Sequence, residues 1–183
     1  MRIFISGGCK NSKSMWAQRL SQRMRKPDAP LYYLATMIPT DSEDEARIIR
    51  HQQDREGWGF ETVEVGRNIL DVVNKCNRQG VFLLDSLTSL LANEMFMPDG
   101  HVEIDAYKRI TGDLMQILNL IDDVVIVSDF IYSDAFLYDG LTESYRRGLA
   151  YIDRQMAGIC DVVLEACGGV VIFHKGLLCS PRE

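Results

Sequence analysis

Gly7-Gly8-Cys9-Lys10-Asn11-Ser12-Lys13-Ser14 is the stretch that decides the fold of this chain. A short apolar run, Arg2–Ser6, leads into it, and Met15–Arg25 follows with apolar residues at helical spacing. A glycine-rich turn ending in Lys-Ser between a strand and a helix has the form GxxxxGK[ST], whose backbone N–H groups and helix N-terminus cradle phosphate oxygens. Gly7, Gly8, Cys9, Lys10, Asn11 and Ser12 are expected to form that cradle. Lys13 would neutralise the β and γ oxygens of a bound nucleoside triphosphate, and the Ser14 hydroxyl would reach Mg²⁺. Ser12 stands where the pattern carries its second glycine. Its Cβ is expected to obstruct a backbone conformation or a close phosphate approach that glycine permits.

Working outward, apolar runs of four to six residues recur at Leu31–Ala35, Val81–Leu84, Val124–Ser128 and Asp161–Ala166. Short strands apolar on both faces suit a buried parallel sheet. Helical spacing separates them, as in Ile104, Tyr107, Ile110, Leu114, Ile117, Ile121 and in Leu141, Tyr145, Leu149, Ile152, Met156, Ile159. The alternation predicts an α/β fold, mostly parallel. Cys167-Gly168-Gly169 reads as a turn into Val170–Phe173, which would add an antiparallel C-terminal strand. Val81–Asp85 is an apolar strand ending in an acid, the form whose carboxylate orients a metal-bound water or a ligand hydroxyl. Thr40–Glu45 and Asp134–Gly140 are expected as loops, and loops at strand ends carry ligands in such folds. Nothing reads as a linker, so residues 1–183 are expected to form one nucleotide-binding domain.

Composition narrows the function classes. Lys and Arg total 20 against 26 Asp and Glu. That acidic balance repels polyanions and argues against nucleic-acid or membrane-surface binding, so an anionic ligand needs a local site. The five cysteines, Cys9, Cys76, Cys160, Cys167 and Cys179, include no CxxC pair, and neither a disulfide framework nor a zinc site is indicated. No run approaches the ~18 apolar residues of a spanning helix. A cytoplasmic protein without a membrane span is the expectation.

Ser42-Glu43-Asp44-Glu45 has the form of a capping box and opens a predicted helix that runs to about Arg55. On it Arg47, His51 and Arg55 are spaced i, i+4, i+8 and share a face beside Arg50. Two arginines one turn away favour a neutral, nucleophilic imidazole and attract a triphosphate, a combination suited to covalent nucleotidyl transfer. His101 and His174 have no partners at metal-ligand spacing and read as ordinary surface or strand-end residues.

Taken in order, these motifs resemble one family. Ile3–Ser14, Tyr33-Leu34-Ala35-Thr36, Arg47-Ile48-Ile49-Arg50-His51-Gln52-Gln53-Asp54-Arg55, Thr62-Val63-Glu64 and Leu83-Leu84-Asp85-Ser86-Leu87-Thr88, followed by Asn93, look like the segments of the adenosylcobinamide kinase/adenosylcobinamide-phosphate guanylyltransferases. The R-I-x-x-H-x-x-x-R helix is the most specific of them. The resemblance implies a RecA-like P-loop NTPase fold, a homotrimer, and GTP or ATP with Mg²⁺. It implies covalent GMP on His51 and nucleotide contacts at the phosphate loop, Ala35, Thr36, Met37, Gln52, Gln53, Asp54, Arg55, Glu64 and Asp85. The corresponding reactions phosphorylate adenosylcobinamide, a corrinoid, and transfer GMP to that phosphate in cobalamin nucleotide-loop assembly. Besides Ser12, two places depart from the family: Asp129-Phe130-Ile131-Tyr132 stands for its N-E-V-G, and Asp153-Arg154 for its N-Q pair. A relative that binds nucleotide without one or both activities, in a regulatory or scaffolding role, is the competing expectation. A generic small-molecule kinase leaves the arginine-flanked histidine unexplained.

Overall fold

In the computed structural model, which describes residues 1–177, seven strands form one sheet in the order β3-β2-β4-β5-β1-β6-β7. Cys179 lies outside the described residues. The elements run β1 (Arg2–Gly7), α1 (Lys13–Met24), β2 (Leu31–Ala35), α2 (Ser42–Asp54), β3 (Glu61–Glu64), α3 (Val72–Lys75), β4 (Val81–Asp85), α4 (Leu87–Met95), α5 (Ala106–Leu120), β5 (Asp123–Val127), α6 (Gly140–Ile159), β6 (Val162–Cys167) and β7 (Val170–Lys175). The first six strands are mutually parallel, and β7 pairs antiparallel with β6. Gly168 and Gly169, at φ 58 and 84, form the two-residue turn between Cys167 and Val170. Left-handed φ at both central positions matches the twist of the hairpin and is where glycine costs least.

Period-2 alternation sorts the strand side chains onto two faces. Ile3, Ile5, Leu83, Val125, Val127 and Leu164 pack with Ala17 and Leu20 of α1. Phe4, Phe82, Leu84, Val124 and Ile126 face the other way, against Leu87, Leu90, Ile110, Leu114, Leu149, Ile152 and Met156 from α4, α5 and α6. Phe82 is fully buried, so truncating it to alanine removes a central filler worth about 3–5 kcal/mol. Among the described residues no helix is long and apolar enough to cross a membrane.

Several local expectations shift. Helix α2 starts at Ser42, inside the stretch expected as loop, and its cap is Asp41 rather than Ser42. The Asp41 carboxylate accepts from the N–H groups of Glu43 and Asp44, both at 2.9 Å. Asp satisfies the orphan donors of a helix start as well as Ser does, and here it lies one residue further out. Strand β3 is an edge strand with one half-buried and three exposed residues, too little apolar pattern to stand out as a strand.

Candidate functional site

All parallel strands point their C-terminal ends to one edge, where the phosphate loop, residues 35–37, Glu64 and Asp85 stand, whereas residues 52–55 lie at the end of α2, beside the segment that leads into β3. The phosphate loop leaves β1 there. Gly7 is required by packing: a Cβ would lie 2.4 Å from the carbonyl oxygen of Ala166 on β6. Lys10 and Ser12 sit in the left-handed region, at φ 58 and 62. The conformation expected of a glycine is therefore present at Ser12, with a side chain on it. Ser12 is also the N-cap of α1 and makes no side-chain cap, so the first N–H groups of that helix remain free to hold an anion. Gly8, Asn11 and Ser14 are half-buried, whereas Cys9, Lys10 and Ser12 are exposed.

Lys13 is 7% exposed. Its ammonium donates to the Gly8 carbonyl at 2.6 Å and pairs with the Asp129 carboxylate at 2.7 Å. Asp129 follows β5, and its own N–H donates to Thr88 Oγ1 at 3.0 Å. Beside it, the Phe130 N–H donates to the Gly7 carbonyl at 2.9 Å, which fastens this segment to the phosphate loop. Beneath lies Asp153 of α6, 3% exposed, with Oδ2 accepting from the Tyr132 hydroxyl at 3.0 Å. Asp153 Oδ1 and Ser128 Oγ are buried without a hydrogen bond of normal geometry. Burial pushes the Asp153 carboxyl up to about 7; the Ser128 and Tyr132 hydroxyls pull it back, and the charge of Asp129 adds to the rise. Two of the sequence departures, Tyr132 and Asp153, thus touch each other, and a third, Asp129, touches the loop lysine.

Asp85 ends β4, half-buried, and accepts from the Tyr33 hydroxyl at 2.9 Å. Burial, then the Asp85 charge, raise the Tyr33 phenol, so it stays a donor. Thr36 is fully buried, with its hydroxyl donating to the Ser86 carbonyl at 2.8 Å and accepting from the Ser86 N–H at 2.7 Å. Its backbone N–H donates to the Asp85 carbonyl, and its own carbonyl accepts from Asn93. Every polar group of Thr36 is committed inside the protein, so it shapes this strand end. Ala35 and Met37 beside it are half-buried.

The histidine helix is arranged differently from the expected cationic stripe. Helix α2 buries no residue. Arg47 is exposed and His51 half-buried, but Arg55, which closes the helix, is 7% exposed. The Arg55 guanidinium lies 4.1 Å over the Tyr33 ring and donates to the His51 carbonyl at 2.7 Å and to Thr62 Oγ1 at 3.1 Å. A charged residue turns inward here because an aromatic face and two oxygens receive it. Gln52 and Arg55 line a cavity of about 460 Å³ with Gly59, Phe60 and Thr62. Gln53, Asp54 and Glu64 are exposed. At ~4.8 Å per strand, the three steps from β1 to β2 separate those two strands by about 14 Å across the sheet.

His101 and His174 are exposed, and His174 pairs with Glu165 at 2.7 Å. Among the described residues no group of three or more His, Cys, Asp or Glu forms a metal site. Sequence reasoning named Tyr33 and Thr88 only as members of family segments, with no role for either, and it missed the inward turn of Arg55. A tyrosine within a buried strand is the one available signal, since a buried phenol usually needs a partner.

Solved structures similar to this chain include an ATPase domain, at 12% identity and a TM-score of 0.56 over 96% of this chain and 76% of that one. The flagellar accessory protein FlaH from Methanocaldococcus jannaschii matches at 14% identity and TM-score 0.51 over 96% and 78%. A KaiC-like protein from Pyrococcus horikoshii matches at 12% and 0.52 over 96% and 79%. These likenesses establish the RecA-like P-loop fold. No curated protein matches the sequence. A family model described as cobinamide kinase/cobinamide phosphate guanyltransferase matches residues 3–173.

Proposed function

The chain belongs to the cobinamide kinase/cobinamide phosphate guanyltransferase family, and from that premise we propose that it carries out both reactions, with His51 as the GMP carrier. The observation that supports the kinase half most directly is Lys13 buried at the head of an uncapped helix. In the first reaction the N–H groups of α1 and Lys13 hold the triphosphate, and the corrinoid hydroxyl displaces the nucleoside diphosphate from the γ-phosphoryl group. Lys13 offsets charge as it spreads onto the leaving oxygens.

In the second reaction the imidazole of His51 attacks the α-phosphorus of GTP, a P–N bond forms, and pyrophosphate leaves. The corrinoid phosphate then attacks the same phosphorus, which frees the imidazole. Arg55 orients the helix through the His51 carbonyl, and Arg47 supplies positive charge from the exposed face. The guanosine end is assigned to Gln52, Gln53, Asp54, Arg55 and Glu64, with Ala35, Thr36 and Met37 forming the floor. The Ser14 hydroxyl and the Asp85 carboxylate are hard oxygen donors that suit Mg²⁺, which takes its remaining ligands from phosphates and water. Bound there, Mg²⁺ would supply charge neutralisation for the phosphate tail. GTP or ATP serves the kinase step, and a homotrimer, a cytoplasmic setting and a single domain over residues 1–183 complete the proposal.

A second reading, nucleotide binding without transfer, is favoured by one observation: Lys13 is engaged by Asp129, which a triphosphate must displace. Incubation of cobinamide with γ-labelled GTP or ATP, followed by mass analysis of the corrinoid, separates the two. The proposal expects labelled cobinamide phosphate and, with excess GTP, a GMP adduct. Tight nucleotide binding with an unchanged corrinoid would favour the second reading.

A further inference from the structure

We infer that Asp129 is the catalytic base of the phosphoryl-transfer step, held by Lys13 until a triphosphate arrives. This rests on the kinase half of the reading above. The position of Asp129 is fixed from several sides. Its N–H is bound to Thr88, Phe130 is bound to Gly7, and the segment beyond is anchored by Arg146. Arg146 is 7% exposed, donates to the Ile131 carbonyl at 3.1 Å and pairs with Asp134 at 2.9 Å. A carboxylate set this firmly against the phosphate-loop lysine is pre-organised.

Distance supports the role. The loop lysine meets the β and γ oxygens of a triphosphate. Asp129 touches that ammonium at 2.7 Å. Two such contacts, diverging at about the tetrahedral angle of an ammonium, put an Asp129 oxygen roughly 4.5 Å from a terminal phosphate oxygen and about 5–6 Å from its phosphorus. An attacking oxygen stands about 3–3.5 Å from phosphorus, so the gap has room for one hydroxyl group. Of the other carboxylates along this edge, Asp85 and Glu64 are given to Mg²⁺ and guanosine in the reading above, Glu165 pairs with His174, and Asp153 is sealed at 3% exposure. Asp129 keeps 22% of its side chain exposed and can be reached.

Charge points the same way. A carboxylate beside a phosphate tail repels it and competes for Lys13, so Asp129 weakens triphosphate binding. When the γ-phosphate takes over Lys13, the carboxylate is released next to the incoming alcohol. Asp129 accepts the hydroxyl proton, the oxygen forms a bond to the γ-phosphorus, and the bond from that phosphorus to the β–γ bridging oxygen breaks. The nucleoside diphosphate leaves with the electron pair, and the proton passes from Asp129 to solvent.

The test uses the full chain with Asp129→Asn and Asp129→Glu, cobinamide as acceptor, and Mg²⁺ with ATP and with GTP. Affinity is read by calorimetry, kcat and KM by product formation, and folding by thermal melting. Asp129→Asn is expected to bind triphosphate at least threefold more tightly while kcat falls about a hundredfold or more, the usual range for a lost general base. Asp129→Glu should recover at least tenfold of that loss. Wild-type kcat in Asp129→Asn, or weakened triphosphate binding together with a lowered melting temperature, would overturn the inference and leave the family function standing. A wild-type protein that phosphorylates cobinamide with neither triphosphate would overturn the function reading, and this one with it.

Discussion

Lys13 follows the C-terminal end of β1, whereas His51 lies near the far end of the helix after β2, and their supports differ. Lys13 is 7% exposed, at the head of a helix that packs on the sheet through Ala17 and Leu20. His51 lies on a 13-residue helix that buries nothing, and isolated helices of that length are marginal in water. What holds α2 is at its ends: the Asp41 cap, worth about 1 kcal/mol, and Arg55 stacked on Tyr33. Phosphate binding is therefore built into the core, whereas the histidine depends on two terminal anchors. In the proposed reading the first region grips the ligand, and the second receives a group and passes it on.

The largest effect expected from this contrast is on the core side. Lys13→Ala should weaken Mg²⁺–triphosphate binding a hundredfold or more, about 3 kcal/mol, because it removes the buried cation proposed to meet the terminal phosphates. Affinity within threefold of wild type by calorimetry would place the phosphates elsewhere.

Beneath the same loop, Asp153 should make stability depend on pH. Its carboxyl titrates at about 7 in the fold, above its unfolded value near 4. No penalty exists below pH ~4, where both states are protonated. Between pH ~4 and ~7 the unfolded chain ionises and the folded one resists, so stability falls with rising pH and then levels off. Asp153→Asn keeps an acceptor for Tyr132 and should be more stable than wild type at pH 8 by about 2–4 kcal/mol, the gap closing toward pH 4. Urea titrations at four pH values check this, and a gap independent of pH would remove burial of the charge as its cause.

On the histidine side, Arg55→Ala should cost about 1–3 kcal/mol of stability through its lost stack and hydrogen bonds, and should also reduce labelling of His51. Arg47→Ala, on the exposed face, should reduce labelling with stability unchanged within about 0.5 kcal/mol. Equal stability losses in thermal melts of the two variants would erase the distinction between anchor and surface charge. Ser12→Gly carries the smallest effect: relief of the left-handed strain, partly offset by unfolded-state entropy, should stabilise the protein by up to about 1 kcal/mol without weakening triphosphate binding. A clear loss of affinity would make the Ser12 hydroxyl a ligand.

Much of this was legible in the sequence because it is local. The phosphate loop announces itself by glycine, lysine and serine between a strand and a helix, and the Gly168-Gly169 turn by its residues alone. The mostly parallel sheet follows from short runs apolar on both faces. What stayed hidden is non-local. Arg55 looks like a solvated helix charge until Tyr33, from another strand, receives it. Asp129 meets Lys13 only because β5 lies beside β1. Arg146 and Asp153 interrupt the apolar stripe of α6 as ordinary polar residues would, yet both are buried against partners in the loop that precedes the helix.

The division of labour between the two regions is tested most directly with GTP labelled in the α-phosphate and Mg²⁺, comparing wild type with His51→Ala. The account predicts acid-labile, alkali-stable label on the wild-type protein and none on His51→Ala, with triphosphate affinity in the variant within twofold of wild type. Label retained by His51→Ala, or absent from a wild-type protein that demonstrably binds GTP, would contradict it.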